Sequence, residues 1–128
     1  MLHDDSSPHP EALLALLAGA ADDPGADILG PMLREWPSLK RLLELGVTIS
    51  GTGRRETGLE RRERDQGQHD GTRAVLAVGT AGMLVRRDVW DALGGLDRRL
   101  PPLRDDVGLG RRGQPAGDPA GVGPAAVV

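Results

Sequence analysis

Every apolar run in this chain is short, and glycines and prolines recur between the runs. The longest, Ala12 to Ala21, is about half the ~20 residues that a membrane-spanning helix needs. A chain punctuated in this way builds its core from brief helices and strands joined by turns. Ser7, Pro8, Pro10 and Glu11 give a helix-start signal, after which Leu13, Leu14, Leu16, Leu17 and Ala20 recur at helical spacing on one face. That helix is expected to stop at Asp22-Asp23-Pro24-Gly25. Ala26 to Leu29, closed by Gly30-Pro31, has the length and flanks of a buried strand. The alternation predicts an α/β fold.

Further along, Pro37 to Leu45 reads as a second amphipathic helix, with Leu39, Leu42 and Leu43 inward, Lys40, Arg41 and Glu44 outward, and Gly46 as its C-cap. Residues 51–73 are glycine-rich and densely charged with almost no apolar periodicity, which predicts a long loop. Ala74 to Val78 has strand length, and Met83 to Val85 extends the sheet after the small residues Gly79-Thr80-Ala81-Gly82. Asp88 starts a helix through Leu93 that Gly94-Gly95 closes. From Pro101 onward regular order is expected to fail, because glycine and proline crowd residues 108–124.

Composition narrows the classes. With 128 residues the chain has the length of one ordinary domain, and 38% hydrophobic residues suffice for a modest core. That core must be aliphatic, since Trp36 and Trp90 are the only aromatics able to fill it or to stack on a ligand. A net charge of -3 gives no global attraction to nucleic acid or to an anionic membrane. The absence of cysteine excludes disulfides and thiolate metal sites. The opening Met1-Leu2-His3-Asp4-Asp5 lacks the basic start of a secretory signal, so a cytoplasmic location is expected, in a full-length relative at the inner face of the membrane. Lys40 is the single lysine, isoleucine is confined to Ile28 and Ile49, and Phe, Tyr and Asn are missing, a usage that points to a GC-rich bacterial coding sequence.

One stretch carries most of the functional signal: Ala81-Gly82-Met83-Leu84-Val85-Arg86-Arg87-Asp88-Val89-Trp90-Asp91-Ala92-Leu93-Gly94-Gly95-Leu96-Asp97. It resembles the pattern of the family-two glycosyltransferases of the GT-A fold, in which small residues lead into Gly-Met-aliphatic-aliphatic-Arg-Arg, a helix and then Gly-Gly-Phe-Asp. Leu96 stands in the phenylalanine position. A plain amphipathic helix with a glycine cap accounts for residues 88–95 but not for the entry before them. The resemblance implies a partial Rossmann-like GT-A domain over residues 1–107, with the nucleotide-binding half lying outside the sequence. A degenerate or poorly ordered tail is expected over residues 108–128.

The family also supplies expectations for single residues. An acidic pair follows its motif after about ten residues, and Asp105-Asp106 occupies that place. An inverting transferase needs a base to take the acceptor hydroxyl proton as that oxygen attacks the anomeric carbon. By resemblance Asp106 is that base and Asp105 a supporting acid, although two exposed acids at a helix N-terminus would look the same in sequence. His3-Asp4-Asp5 aligns with the Asp-x-Asp motif, which implies a Mg²⁺ or Mn²⁺ ion held by Asp5, with Asp4, against the diphosphate of a nucleotide-sugar donor. His3 replaces the family's first aspartate, and an acidic helix lead-in is the alternative. His3, Gly82, Met83 and Asp97 are then expected to border the donor or acceptor cleft. The partners implied are a nucleotide sugar and a glycan or lipid-linked hydroxyl acceptor, with no nucleic acid.

Other patterns weigh less. Gly108-Leu109-Gly110-Arg111-Arg112-Gly113 fits a dinucleotide fingerprint, yet no apolar strand precedes it and Pro115 follows. Arg54, Arg55, Arg61, Arg62 and Arg64 are interleaved with Glu56, Glu60, Glu63 and Asp65, as in a solvated loop, which could still hold an acceptor or a diphosphate. His3, Asp4, Asp5 and His9 make a poor zinc set across the Pro8 to Pro10 turn. The family also continues Asp105-Asp106-Val107 with Asp, an aliphatic or aromatic residue, a small residue, Trp and Arg. Here Gly108 and Arg111 depart from that pattern while the spacing holds. The rival reading is therefore a non-catalytic remnant or interaction module from a decayed glycosyltransferase gene, and the isolated chain is expected to be inactive.

Overall fold

A computed structural model of the chain describes residues 1–52, 54–57, 59–68, 73–99, 105–116 and 120–127. At its centre runs β1 (Ile28–Arg34), whose first five residues are all buried, as expected of a strand covered on both faces. Along one edge it pairs in parallel with β7 (Ala120–Val127). On the other it pairs antiparallel with β6 (Leu84–Val85) near its start and with β2 (Leu42–Glu44) near its end. β5 (Arg73–Val75) pairs antiparallel with β7 and completes a five-stranded sheet. A separate two-stranded ribbon joins β3 (Thr48–Ile49) to β4 (Arg55–Glu56).

Helix α1 (Ala12–Asp22) packs over β1 and β7, while α2 (Arg87–Leu93) and α3 (Asp105–Ala116) pack against each other. The main core joins Ile28 and Met32 of β1 to Leu42, Leu45, Val78, Met83, Leu109 and Val122, with Trp90 packed on its margin. This is the α/β architecture that the alternating pattern predicts, with an open mixed sheet and flanking helices. Helix α1 stops at Asp22 and α2 at Leu93, where the sequence places both stops.

Pro31 does not end the first strand. The β1–β7 register shifts between Gly30 and Met32, and a bulge is a place in a sheet where a residue without an N–H is tolerated. The helix expected over Pro37 to Leu45 is not formed. Leu39 takes a φ of 54°, outside the helical range, and burial then alternates, with Leu42 and Glu44 inward and Leu43 46% exposed. Leu-Leu-Glu-Leu can serve either period, and the free edge of β1 selects the strand. The face expected for α1 is also narrower. Ala12 and Leu16 are buried, one turn apart, whereas Leu13, Leu14 and Leu17 are 60%, 68% and 49% exposed.

The largest departure is at the C-terminal end. Residues 108–128 are expected to lack regular structure, yet most of them belong to α3 and β7. Both elements rest on tertiary partners: β7 is paired on both edges, and Val122 and Leu109 are each 0% exposed. Within residues 51–73, expected as one loop, β4 and a bridge between Arg41 and Arg64 are present. Residues 53, 58 and 69–72 of that loop, and 101–104, 117–119 and 128 of the segment from Pro101, lie outside the described residues.

Candidate functional site

The opening segment is positioned by strand-like contacts with the family motif. Leu2 bridges antiparallel to Gly82, and the Met1 nitrogen donates to the Met83 carbonyl at 2.5 Å. This lays His3 beside Thr80, with Nε2 of the imidazole 2.7 Å from the Thr80 hydroxyl. Thr80 is 8% exposed, so the hydroxyl has few alternatives to that ring as a partner. The other imidazole nitrogen, Nδ1, stands 4.0 Å from a carboxylate oxygen of Asp5. The Ser6 hydroxyl closes the turn by donating to the His3 carbonyl at 2.7 Å.

Behind Thr80 sits Glu44, which sequence reading places outward on a helix. As the third residue of β2 it points inward, is 8% exposed, and accepts the Gly79 N–H at 2.7 Å. This side-chain-to-backbone bond fixes the loop that carries Thr80 and, through it, His3. The signal for Glu44 was available as a two-residue alternation in Leu42-Leu43-Glu44. Thr80 had no local signal, because its partner lies 77 residues away.

Asp4 and Asp5 are exposed, Asp5 by 86% at its side chain. Among the described residues no three His, Cys, Asp or Glu side chains gather as a metal cage. A Mg²⁺-type ion does not require one. It keeps water and substrate phosphate as ligands and takes one or two protein carboxylates, and two exposed neighbouring carboxylates fit that donor set. His9 is turned to its own loop, where Nδ1 accepts the Glu11 N–H at 3.3 Å.

Gly82 and Met83 line a cavity of about 370 Å³, together with Leu2, Pro8, His9 and Leu13. Its walls are largely apolar, and His3, Asp4 and Asp5 are not part of them. The Met83 side chain is 2% exposed and belongs to the core. Asp97 lies just past the Gly94-Gly95 turn. Its carboxylate takes bonds from the Arg99 backbone N–H and guanidinium at 2.9 to 3.0 Å. Those bonds lower its pKa to about 2, with a smaller contribution from the charge of Arg112.

Asp105 and Asp106 form the first turn of α3. Their side chains lie outside the described residues, so the structure fixes only their place on the helix. That place is secured by Arg112, which the sequence presents only within the fingerprint-like run of residues 108–113. Two turns along α3 its guanidinium donates to the Gly108 carbonyl at 3.1 Å, to the Leu93 carbonyl at 3.0 Å and to the Gly95 carbonyl at 2.6 Å. One side chain thereby ties α3 to carbonyls at the C-terminal end of α2 and just past it. Gly110 completes the docking: a Cβ there would stand 2.2 Å from the Leu76 carbonyl oxygen, so only glycine lets α3 approach this closely. The fingerprint-like glycines of residues 108–113 are thus part of a helix surface.

At the other end of α2, Arg86 donates to Asp27 at 2.9 Å and to Asp88 at 2.7 Å, joining the motif's first arginine to the start of β1. The bond from Arg86 holds Asp88 below the ordinary carboxylate range. No helix of the described residues is long and apolar enough to cross a membrane.

A family model described as Glycosyltransferase like family 2 matches residues 1–128. No curated protein and no solved structure matches the chain. The opening acidic segment, the run from Gly82 to Asp97 and the α3 helix after it all fall inside that match, and the chain belongs to the glycosyltransferase-like family 2.

Proposed function

We propose that the chain supplies the transfer side of an inverting, metal-assisted glycosyltransferase that moves a sugar from a nucleotide-diphosphate donor to a hydroxyl acceptor. The observation that carries this reading is the seating of the opening segment on the motif, through the Leu2–Gly82 bridge and the His3–Thr80 hydrogen bond. It brings Leu2 and His3, which precede Asp4 and Asp5, against Gly82 and Thr80, although the two segments are far apart in sequence.

In this reading Asp106, helped by Asp105, receives the acceptor proton. The acceptor oxygen bonds to the anomeric carbon as the carbon–oxygen bond to the diphosphate breaks, and the electron pair leaves with the nucleotide. The division of the pair into a base and a support follows the family resemblance. Asp5, with Asp4, would hold Mg²⁺ or Mn²⁺, which when bound neutralises charge on the departing diphosphate. By the resemblance His3, Gly82 and Asp97 would border the cleft, with Met83 backing it from the core, and a glycan or lipid-linked hydroxyl would be the acceptor.

Two measurements test the reading. Mn²⁺ titration in the presence of a nucleoside diphosphate should show one site that Asp5→Asn weakens by roughly tenfold or more. An unchanged affinity in the Asp4→Asn, Asp5→Asn double variant would sink the metal assignment. Where transfer or donor hydrolysis is detectable, Asp106→Asn should lower kcat by about 10²–10⁴-fold, and Asp105→Asn by less. Metal binding without any turnover across a panel of nucleotide sugars would favour the non-catalytic remnant, to which the departures at Gly108 and Arg111 point.

A further inference from the structure

A second cleft, of about 200 Å³, opens between the segment after β1 and the loop before β5. It is lined by Glu35, Ser38, Lys40, Arg41, Arg62 and Arg64. Four cations thus face one carboxylate, and that carboxylate is already engaged, since Arg41 donates to Glu35 at 3.1 Å. The acids nearest in sequence are engaged as well. Asp65 pairs with Arg34, and Glu63 accepts the Glu60 N–H and the Gln68 amide. Among the described residues the side chains of Lys40, Arg62 and Arg64 have no hydrogen-bonding or ion-pairing partner, and the buried Nε of Arg41 has no acceptor.

Two further observations single this cleft out. The non-glycine residues with positive φ among those described are Leu39, at 54°, and Arg62, at 63°, one in each segment that forms the cleft. Side chains are held in that region only where their surroundings impose it, and such residues concentrate at ligand sites. The cleft also begins where β1 ends, with Glu35 following Arg34. In open α/β sheets, ligands bind beyond the carboxyl ends of the parallel strands, and β1 and β7 are the parallel pair here.

We propose that this cleft binds a phosphate monoester group, through Lys40, Arg62 and Arg64 with Arg41 as its fixed wall. The chemistry matches because a dianion with three terminal oxygens can accept from several cationic donors at once, and guanidinium forks fit those oxygens in pairs. Trp36, next to Glu35 in sequence and 73% exposed, offers a fluorescent reporter. The proposal does not depend on the assignment of Asp5 or Asp106, and it is read by binding, so it can fail without the transfer reading failing.

The test titrates the full chain at low salt with glucose 6-phosphate, with glucose as the control, by calorimetry and tryptophan fluorescence. It is run in parallel with phosphatidylcholine vesicles with and without phosphatidic acid. Glucose 6-phosphate should bind and glucose should not, with affinity falling as salt rises. The K40A/R62A/R64A variant should bind at least roughly tenfold more weakly, and the charge-preserving K40R/R62K/R64K variant within about threefold of the parent. Binding of the acidic vesicles that the same alanine substitutions abolish would assign the monoester to a lipid headgroup, and binding of the sugar phosphate alone to a soluble ligand. Absence of saturable binding to either phosphate probe, or unchanged binding in a folded alanine variant, would overturn the proposal. Should the alanine variant not fold, Ser38→Asp decides, because it adds a carboxylate to an exposed lining position and undiminished binding would then refute the site.

Discussion

Helices α2 and α3 lie against each other, yet they are helical for different reasons. α2 is written in its own residues: Asp88 sits in its first turn, and Gly94, at a φ of 76°, caps it by donating to the Asp91 and Trp90 carbonyls. α3 carries Gly108, Gly110, Gly113 and Pro115, each of which counts against a helix. What holds it is external: the fully buried Leu109, the close approach at Gly110 and the Leu93 and Gly95 carbonyls bound by Arg112. The pair shows that in this chain a helix position can be set by docking against the grain of local propensity. The helix so set is the one that bears Asp105 and Asp106.

The contrast is most exposed to attack at Gly110. Replacing glycine by alanine inside an ordinary helix stabilises it by about 1 kcal/mol. Here the added methyl meets a backbone carbonyl at 2.2 Å, and overpacking of that kind costs about 1–3 kcal/mol or more. Because a 2.2 Å approach to backbone puts the cost at the upper end of that range, about 3 kcal/mol, we expect Gly110→Ala to lose about 2 kcal/mol net in urea unfolding. A gain in stability would show that α3 obeys propensity after all and would collapse the distinction. Next in size is Arg112→Met, which keeps the length of the side chain but removes its donors. Bonds from a charged donor contribute about 1.5–3 kcal/mol each in favourable cases, and carbonyls at a helix end can rehydrate, so about 1.5 kcal/mol is expected. Arg112→Lys should recover only part of it, because an ammonium cannot span the Gly108, Leu93 and Gly95 carbonyls as a planar fork does.

The same division separates what was legible in the sequence from what was not. Elements with local punctuation, α1, the start of β1 and α2, could be read directly, and so could the run from Gly82 to Asp97. Elements whose cause is remote could not. Leu42-Leu43-Glu44 fits a helix or a strand until the edge of β1 is present to pair with it. The glycines of β7 look like loop until β1 and β5 flank them. At the candidate site, His3 and Thr80 meet across 77 residues, a contact that no window of sequence reports. Glu44 was hidden by the wrong period, since a helical reading turns it outward when a strand turns it in.

On the α2 side the expected effects are smaller. Gly94→Ala places a side chain at positive φ, where a Cβ costs about 1 kcal/mol, and nothing stands within 4 Å of the position to add a clash. A loss of about 1 kcal/mol in a urea melt is the expected outcome. A loss larger than that of Gly110→Ala would invert the comparison, making the locally written helix the more fragile one.

The finest test is electrostatic and uses Asp97, which lies beyond the α2 cap and within the field of Arg112. Its carboxylate has a pKa of about 2 against the ordinary 3.8, chiefly through hydrogen bonds from Arg99 and least through the charge of Arg112. Because the folded pKa is the lower one, the ionised carboxylate favours the folded chain fully above about pH 4, and that contribution fades as pH falls toward about 2. A ¹³C NMR titration of the carboxyl carbon should therefore show a midpoint near the acid limit in the parent chain. Arg99→Gln should move the midpoint most of the way back toward 3.8, whereas Arg112→Met should move it only slightly. The two substitutions thus distinguish a carboxylate fixed by its own turn from one fixed by the docked helix. A large shift with Arg112→Met and a small one with Arg99→Gln would mean that the docking of α3 reaches past the α2 cap into the chain beyond it, and the boundary between local and remote causes would then have to be drawn before Asp97 rather than after it.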